Sequence, residues 1–212
     1  GNAATFLPLM KHERAKLILE TAYKLSGLQR SAQNIATAAD RAAKVVFALK
    51  SYSRYDQSGE MTSADIAEGM DTVLTLYQSH LKHGVEVVRD YEEVPRILCL
   101  PDELNQVWTN LIHNSLQAMD YKGTLEIGVS KRDGSIAVSV TDSGPGIPDD
   151  VREKIFEPFF TTKPAGEGTG LGLDIVKKIV DKHDGRIEVD SKPGRTTMCV
   201  ILPMRTRGAK EA

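Results

Sequence analysis

The sequence predicts an α+β protein: a long helical segment followed by a two-layer sandwich, with helices covering one face of a mixed, mostly antiparallel sheet. Three observations carry this. Residues 11–54 contain no proline and hold an apolar or alanine stripe at helical spacing. From residue 85 onward, short alternating runs bounded by turn residues are interleaved with two helical stretches. The charge is also divided. Residues 1–57 carry nine Lys/Arg against four Asp/Glu, and residues 58–212 carry 18 against 25, although the whole chain has a net charge of only −2.

The first stripe is Ile18, Ala22, Leu25, Leu28, Ala32, Ile35, Ala39, Ala42, Val46 and Leu49. Its steps are three or four throughout and average about 3.4, close to the heptad value. The phase survives Gly27, so one long helix or two in line are predicted. Such a stripe must be buried, either on its own domain or in a helical-bundle dimer seam; its narrowness and alanine content favour the seam. Tyr55–Gly59 reads as a linker. Thr62 offers an N-cap with Asp65 in the capping-box position, and Ile66, Met70, Val73, Leu74, Tyr77 and Leu81 continue a helix that Gly84 ends. Strands are predicted at 85–91 and 96–100, and a helix opens at Pro101-Asp102 and runs to about Asp120. Residues 124–130 and 135–141 alternate and flank Asp133-Gly134, a hairpin signal. A loop-rich stretch at 142–168, a helix at 169–183 stopped by Gly185, and a hairpin of 186–191 with 196–202 complete the order. The domains are expected at 1–57 (the later part of a dimerisation bundle), 58–205 and a frayed tail at 206–212.

Composition excludes several classes. With 41% apolar and 26% charged residues the chain is ordinary for a globular protein and too apolar for disorder. No apolar run approaches the 18 or so residues of a membrane span. The charge balance gives no reason to expect nucleic acid as partner. Cys99 and Cys199 sit in strand-like runs without CxxC spacing and read as reduced core thiols, which fits a reducing, cytoplasmic compartment. Residues 6–10 are too short and proline-broken for a signal peptide, and the chain begins at Gly1, so a processed or excised fragment is expected.

The chemistry concentrates in two glycine-dense segments. One is Asp142-Ser143-Gly144-Pro145-Gly146-Ile147-Pro148; the other is Gly166-Glu167-Gly168-Thr169-Gly170-Leu171-Gly172-Leu173, which leads directly into a helix. Glycines permit close backbone approach, and a helix N-terminus favours anions, so the second segment suits polyphosphate. Familiar phosphate motifs do not apply. There is no G-x-x-x-x-G-K-[ST], the glycines do not fit G-x-G-x-x-G, and the V-A-I-K, H-R-D and D-F-G set is absent.

The ordered series does have a match. Asn110-Leu111-Ile112-His113-Asn114 lies on a helix, with the asparagines sharing a face. It is followed by Asp142-x-Gly144-x-Gly146, then Phe156-x-Pro158-Phe159-Phe160-Thr161-Thr162-Lys163, then Gly168-Thr169-Gly170-Leu171-Gly172. This series resembles the asparagine, first glycine, phenylalanine and second glycine boxes of the GHKL ATPase superfamily, whose nucleotide fold is called the Bergerat fold. The phenylalanine box and the second glycine box look most like sensor histidine kinases of two-component systems. The resemblance covers about residues 60–205.

The resemblance implies ATP and Mg²⁺ as ligands and assigns roles. Asn114 matches the Mg²⁺-binding asparagine, an amide oxygen suited to a hard cation. Asn110 matches the position where gyrase, heat-shock chaperone and mismatch-repair relatives carry a water-activating glutamate; an amide cannot serve as that base, which argues for phosphoryl transfer over hydrolysis. Asp142 matches the carboxylate that accepts the adenine amino hydrogen, with Gly144, Gly146 and Ile147 beside the base. Thr197 matches the threonine that supports this aspartate. Phe156, Phe159 and Phe160 would hinge a lid over ATP, with Thr161, Thr162 and Lys163 near the phosphates and Lys163 on the γ-phosphate. Gly168, Thr169, Gly170, Leu171, Gly172 and Leu173 would cradle the phosphates. Many family kinases place a basic residue where Gln117 stands here. His113 is therefore either a phosphate donor or a helix-surface histidine.

An acceptor histidine in an H-[ED]-x-x-[TN]-P setting is absent. His12 is followed by an acid but by no Thr/Asn-Pro, and reads as a surface residue; His80, His83 and His183 read as surface or helix-end residues, His183 near a helix C-terminus. The acceptor is expected outside this chain, in a bacterial parent that is cytoplasmic or membrane-attached. The implied partners are a response regulator receiver domain and a second copy through the N-terminal helices. Two other readings stay open: another GHKL ATPase or anti-sigma-type serine kinase, and a non-catalytic nucleotide-binding dimerisation scaffold.

Overall fold

A computed structural model describes residues 13–32, 35, 60–82, 84–163 and 168–205. The linker at 55–59, the stripe beyond residue 35, His12, His83, Gly166, Glu167 and the tail at 206–212 lie outside the described residues. The chain divides into two compact units, Gly1–Gln57 and Ser58–Ala212.

In the first unit, helix α1 spans residues 15–32. Leu17, Ile18, Leu19, Tyr23, Leu25 and Leu28 are exposed along it. Leu28 is 67% exposed, so the apolar stripe of this helix is not buried within the described chain.

The second unit opens with strand β1 (Thr62–Ala64), helix α2 (Ile66–Leu76) and a single turn, α3 (Gln78–Leu81). Thr62 is not the N-cap. It lies in β1, paired antiparallel with β3 (Ile97–Cys99), and Asp65 is the cap, its carboxylate accepting from the Glu68 amide at 3.2 Å. The predicted single helix breaks at Tyr77, whose amide turns back to the Leu74 carbonyl. The buried stripe Ile66, Met70, Val73 and Leu74 agrees with the sequence spacing.

β2 (Val85–Tyr91), α4 (Pro101–Ala118), β4 (Gly123–Arg132) and β5 (Ser135–Asp142) follow. The remaining elements are the short α5 (Asp149–Arg152), α6 (Gly172–Lys182), β6 (Arg186–Lys192) and β7 (Arg195–Pro203). The main sheet has the order β2-β4-β5-β7-β6. Only β2 and β4 are parallel, and α4 supplies the crossover that a parallel pair needs. The β4–β5 hairpin turns at Asp133-Gly134, both with positive φ, as the dipeptide predicts.

Alternation sets the layers. Leu125, Ile127 and Val129 of β4, Ile136, Val138 and Val140 of β5, and Met198, Val200 and Leu202 of β7 share one core. On the helical side it is completed by Trp108, Leu111, Ile112 and Leu116 of α4 and by Val176, Ile179 and Val180 of α6. The mixed, mostly antiparallel sheet under helices is the architecture the sequence predicts.

Two differences have physical causes. The last helix begins at Gly172, not 169, because Gly170 has φ +66° and cannot continue a right-handed helix backward. His183 is at the helix end, as the C-cap of α6, but is buried there, 5% exposed. Its Nε2 accepts the Leu100 amide at 3.0 Å and its Nδ1 lies 2.7 Å from the Ile179 carbonyl, so a neutral ring protonated at Nδ1 satisfies both bonds. Of the two thiols, Cys99 is fully buried and Cys199 is half-buried on the outward face of β7. Burial pushes both thiols up, which fits inert cysteines.

Candidate functional site

Helix α4 is the floor of the site. Leu104, Val107, Trp108, Leu111, Ile112, Ser115 and Leu116 face inward at spacings of one, three and four, which turns Asn110, Asn114 and Gln117 onto an adjoining face. The first residue of α6 meets that face. A β-carbon on Gly172 would lie 3.8 Å from Asn110 Oδ1 and 3.9 Å from Asn114 Nδ2. Asn110 Nδ2 is buried without a hydrogen-bond partner. An orphaned buried donor costs about 1–3 kcal/mol unless something accepts from it, so it marks a place where an acceptor belongs.

The same helix touches the first glycine segment one residue further round. Asp142 ends β5, is 5% exposed, and accepts from the Gly144 amide at 3.0 Å. Burial pushes its carboxyl above the ordinary range, and hydrogen bonds from the Gly144 amide and the Ser115 hydroxyl pull it back only in part. A β-carbon on Gly144 would sit 2.7 Å from Asp142 Oδ1 and 3.3 Å from the Ala118 β-carbon, so only glycine leaves the carboxylate its place.

The rest of this segment is tied to the β6–β7 hairpin. Gly146 has φ +88°, and a β-carbon there would come within 2.7 Å of the Lys192 carbonyl. The Ile147 amide donates to Ser191 Oγ at 2.8 Å, and that hydroxyl lies 2.9 Å from Thr196 Oγ1. Arg152, in α5, reaches the Ser191 carbonyl at 2.8 Å.

Thr197 does not join this network. Asp142 pairs with Thr196, and Thr197 pairs with Thr141 on the opposite face, the two hydroxyls 2.9 Å apart. A one-residue step along a strand reverses the face. Thr196, which shares its face with buried Met198, Val200 and Leu202, is the threonine on the Asp142 side.

The phenylalanine and second glycine segments close on each other. Phe159 has φ +65° and is 73% exposed, while Phe156 and Phe160 are half-buried. A β-carbon on Gly170 would fall 2.3 Å from the Phe159 carbonyl carbon, so the two chains meet backbone to backbone. Thr161 and Thr162 are exposed. The Lys163 amide donates to Thr161 Oγ1 at 3.2 Å, and the Lys163 ammonium donates to Gln117 Oε1. A β-carbon on Gly168 would lie 3.3 Å from Lys163 Cδ. Thr169 Oγ1 accepts from the Leu171 amide at 3.4 Å, and Leu171 and Leu173 are half-buried, Leu173 against the core.

The structure thus brings Asn110, Asn114, Gly172, Gly168, Thr161 and Lys163 together along the C-terminal half of α4, and Asp142, Gly144, Gly146 and Ile147 beside it. His113 instead lies with its ring centroid 6.2 Å from that of Tyr77, on the α2–α3 side of the helix. The sequence does not single out Ser115, Thr196 or Ser191, and gives Gln117 only as a departure from the family pattern. Period-two alternation in β7 carries the signal for Thr196; nothing local announces Ser115 or Ser191.

The donor set fits a nucleotide with a hard cation. There is an unpaired amide donor at Asn110, an amide beside the helix N-terminus at Asn114, and a buried carboxylate at the end of a strand. Among the described residues no group of three His, Cys, Asp or Glu could hold a metal ion.

Comparison with known proteins agrees. Residues 99–206 match the family described as histidine kinase-, DNA gyrase B- and HSP90-like ATPase. The sensor histidine kinase ZraS of Escherichia coli K12 is 43% identical over 114 residues, covering 53% of this chain and 24% of that protein. The sensory histidine kinase/phosphatase NtrB of Azospirillum brasilense is 35% identical over 183 residues, covering 78% of this chain and 45% of that protein. The chain therefore spans less than half the length of these curated relatives. The solved catalytic domain of the histidine kinase ThkA, in a nucleotide-free form, superposes with a TM-score of 0.64 at 31% identity, covering 69% of this chain and 97% of that one. ThkA in complex with the response regulator protein TrrA gives a TM-score of 0.66 at 25% identity, covering 81% of this chain and 50% of that one.

Proposed function

Because the chain belongs to the histidine kinase-, DNA gyrase B- and HSP90-like ATPase family and its relatives are sensor histidine kinases, we propose that residues 58–205 bind ATP and present its γ-phosphate to a histidine. The observation that carries this reading is the double contact of α4. One of its faces meets the N-terminus of α6 at Gly172, and Ser115 and Ala118 meet Asp142 and Gly144. An adenine end and a phosphate end therefore share one rigid element.

Asp142 accepts the adenine amino hydrogen, and the glycines beside it let the base lie against backbone. Asn110 donates through its unpaired Nδ2, and Asn114 would hold Mg²⁺ through its amide oxygen. When bound, the cation offsets charge on the phosphate oxygens. The free amides of the first turn of α6 face the phosphates, where the helix dipole favours negative charge. Thr161, Thr162 and Lys163 complete that end. In the transfer the bond from Pγ to the bridging oxygen breaks, a phosphorus–nitrogen bond to imidazole forms, the imidazole gives up its N–H proton, and ADP leaves. This chain's part is positioning and electrostatics. Asn110 in place of a carboxylate leaves no base to activate water, which favours transfer over hydrolysis.

The acceptor histidine, which no H-[ED]-x-x-[TN]-P segment of this sequence supplies, belongs to another part of a longer bacterial parent. A response regulator receives the phosphoryl group. The exposed apolar stripe of α1 pairs with a second copy. Isothermal titration tests the core of this reading: Mg²⁺-dependent ATP binding is expected, weakened more than a hundredfold by Asp142→Asn, on the scale of a buried charged hydrogen bond. No nucleotide binding by the parent chain would overturn it. Steady turnover of ATP without an acceptor would move the assignment to an ATPase.

A further inference from the structure

Three residues after Asn114, where the family resemblance leads one to expect a basic residue, this chain carries Gln117, and the structure gives that glutamine a partner. Its Oε1 accepts from the Lys163 ammonium, although the two residues are 46 apart in sequence. We propose that Gln117 is a positioning residue that holds Lys163 on the Asn110–Asn114 face of α4, so that selection for a nucleotide's terminal phosphate belongs to the pair and not to Lys163 alone. The inference rests on the nucleotide-binding reading above.

Three features make the arrangement specific. Gln117 follows Asn110 by seven residues and Asn114 by three, so all three lie on one line along α4. The lysine stem is guided there. Its own amide is turned by Thr161 Oγ1 at 3.2 Å, and Gly168 leaves the room through which Cδ passes, since a β-carbon at that position would come within 3.3 Å of it. The acceptor is neutral. An amide fixes a flexible ammonium without cancelling its charge, whereas a carboxylate would neutralise it and an ammonium would repel it. A lysine already held over the site loses less rotamer freedom when phosphate arrives, which is where preorganisation adds affinity. The cation of this face is thus supplied from the segment after the phenylalanines, with the helix contributing its holder.

The test is calorimetric titration of ADP and of ATP, each with Mg²⁺, into the parent chain, Gln117→Ala, Gln117→Glu, Lys163→Ala and the Gln117→Ala/Lys163→Ala double variant. The readout is the ratio of ATP to ADP affinity in each variant, which isolates the terminal phosphate from whatever the pair contributes to both nucleotides. The preference for ATP over ADP is expected to fall roughly tenfold in Lys163→Ala, the scale of one hydrogen bond to a charged group. It should fall by a similar factor in Gln117→Ala, and no further in the double variant, since coupled residues are not additive. Gln117→Glu should also lose the preference, although it keeps size and shape. Gln117→Ala with an intact preference beside a Lys163→Ala that has lost it overturns the proposal, as do losses that simply add. Should Gln117→Ala fail to bind ADP, Gln117→Glu decides, and an unchanged preference there overturns the proposal. Failure of the parent to bind ADP at all would instead remove the nucleotide reading itself.

Discussion

Single residues show how tightly this site is specified. Asp142 is the clearest case. It is buried with its carboxyl pushed up, so at neutral pH the folded chain carries an ionised group that it disfavours relative to the unfolded chain. The sign follows: a raised folded-state value means that protonation favours the fold. Asp142→Asn is expected to equal or exceed the parent in thermal stability without nucleotide, even as it loses adenine recognition. That gap should be open at neutral pH and close as pH falls through the raised value toward the ordinary carboxylate range, checked by thermal melts across pH. Threonines 196 and 197 make a second pair of predictions. Thr196→Val breaks the chain of hydroxyls to Ser191 and the Ile147 amide and should weaken ADP binding severalfold, the scale of one net hydrogen bond. Thr197→Val, on the other face, should leave binding unchanged in the same titration.

At the level of elements, two contacts hold the two ends of α6. The C-terminus of α6 is clasped to the start of α4 by His183, whose ring bonds the Leu100 amide and the Ile179 carbonyl in a site 5% exposed. His183→Ala leaves an amide buried without a partner and opens a cavity, and should cost about 2–4 kcal/mol in urea unfolding. Its effect on ADP affinity should be small, because the clasp lies at the far end of α6 from Gly172. Gly170 works at the other end. With φ +66° and the Phe159 carbonyl carbon 2.3 Å from where a β-carbon would be, Gly170→Ala should separate the two closing segments. Weaker ATP binding with little change in the urea midpoint is the expected outcome. These elements were legible to different degrees. Helix α2 follows from its stripe, the start of α4 from Pro101-Asp102 and the β4–β5 hairpin from Asp133-Gly134. β1 was not legible, because three residues give too little periodicity. The short α5 was hidden in a stretch of turn residues.

The whole molecule is two units with different tasks. Nearly all the described core lies in residues 66–202, whereas α1 exposes Leu17, Leu25 and Leu28. An apolar helix face left in water favours association. Light scattering after size exclusion should find the chain dimeric, and residues 58–205 alone monomeric with unchanged ADP affinity. A monomeric full chain would remove the seam reading of residues 18–49. The thiols add a control at this scale: with both pushed up by burial, neither should react quickly with a thiol reagent in the folded protein.

The sequence by itself determined the chemistry-bearing boxes, their order and the periodicities that place them at the ends of strands and helices. Such information is local, since spacing within a helix or strand decides which residues share a face. Only the tertiary structure decided which faces meet. It placed Asn110 and Asn114 against Gly172, put Ser115 beneath Asp142, chose Thr196 over Thr197 by one step of register, buried His183 against Leu100, and joined Lys163 to Gln117. Each of these is a contact between segments distant in sequence, fixed by packing and by strand register, and apart from the alternation in β7 that marks Thr196 no local pattern encodes it.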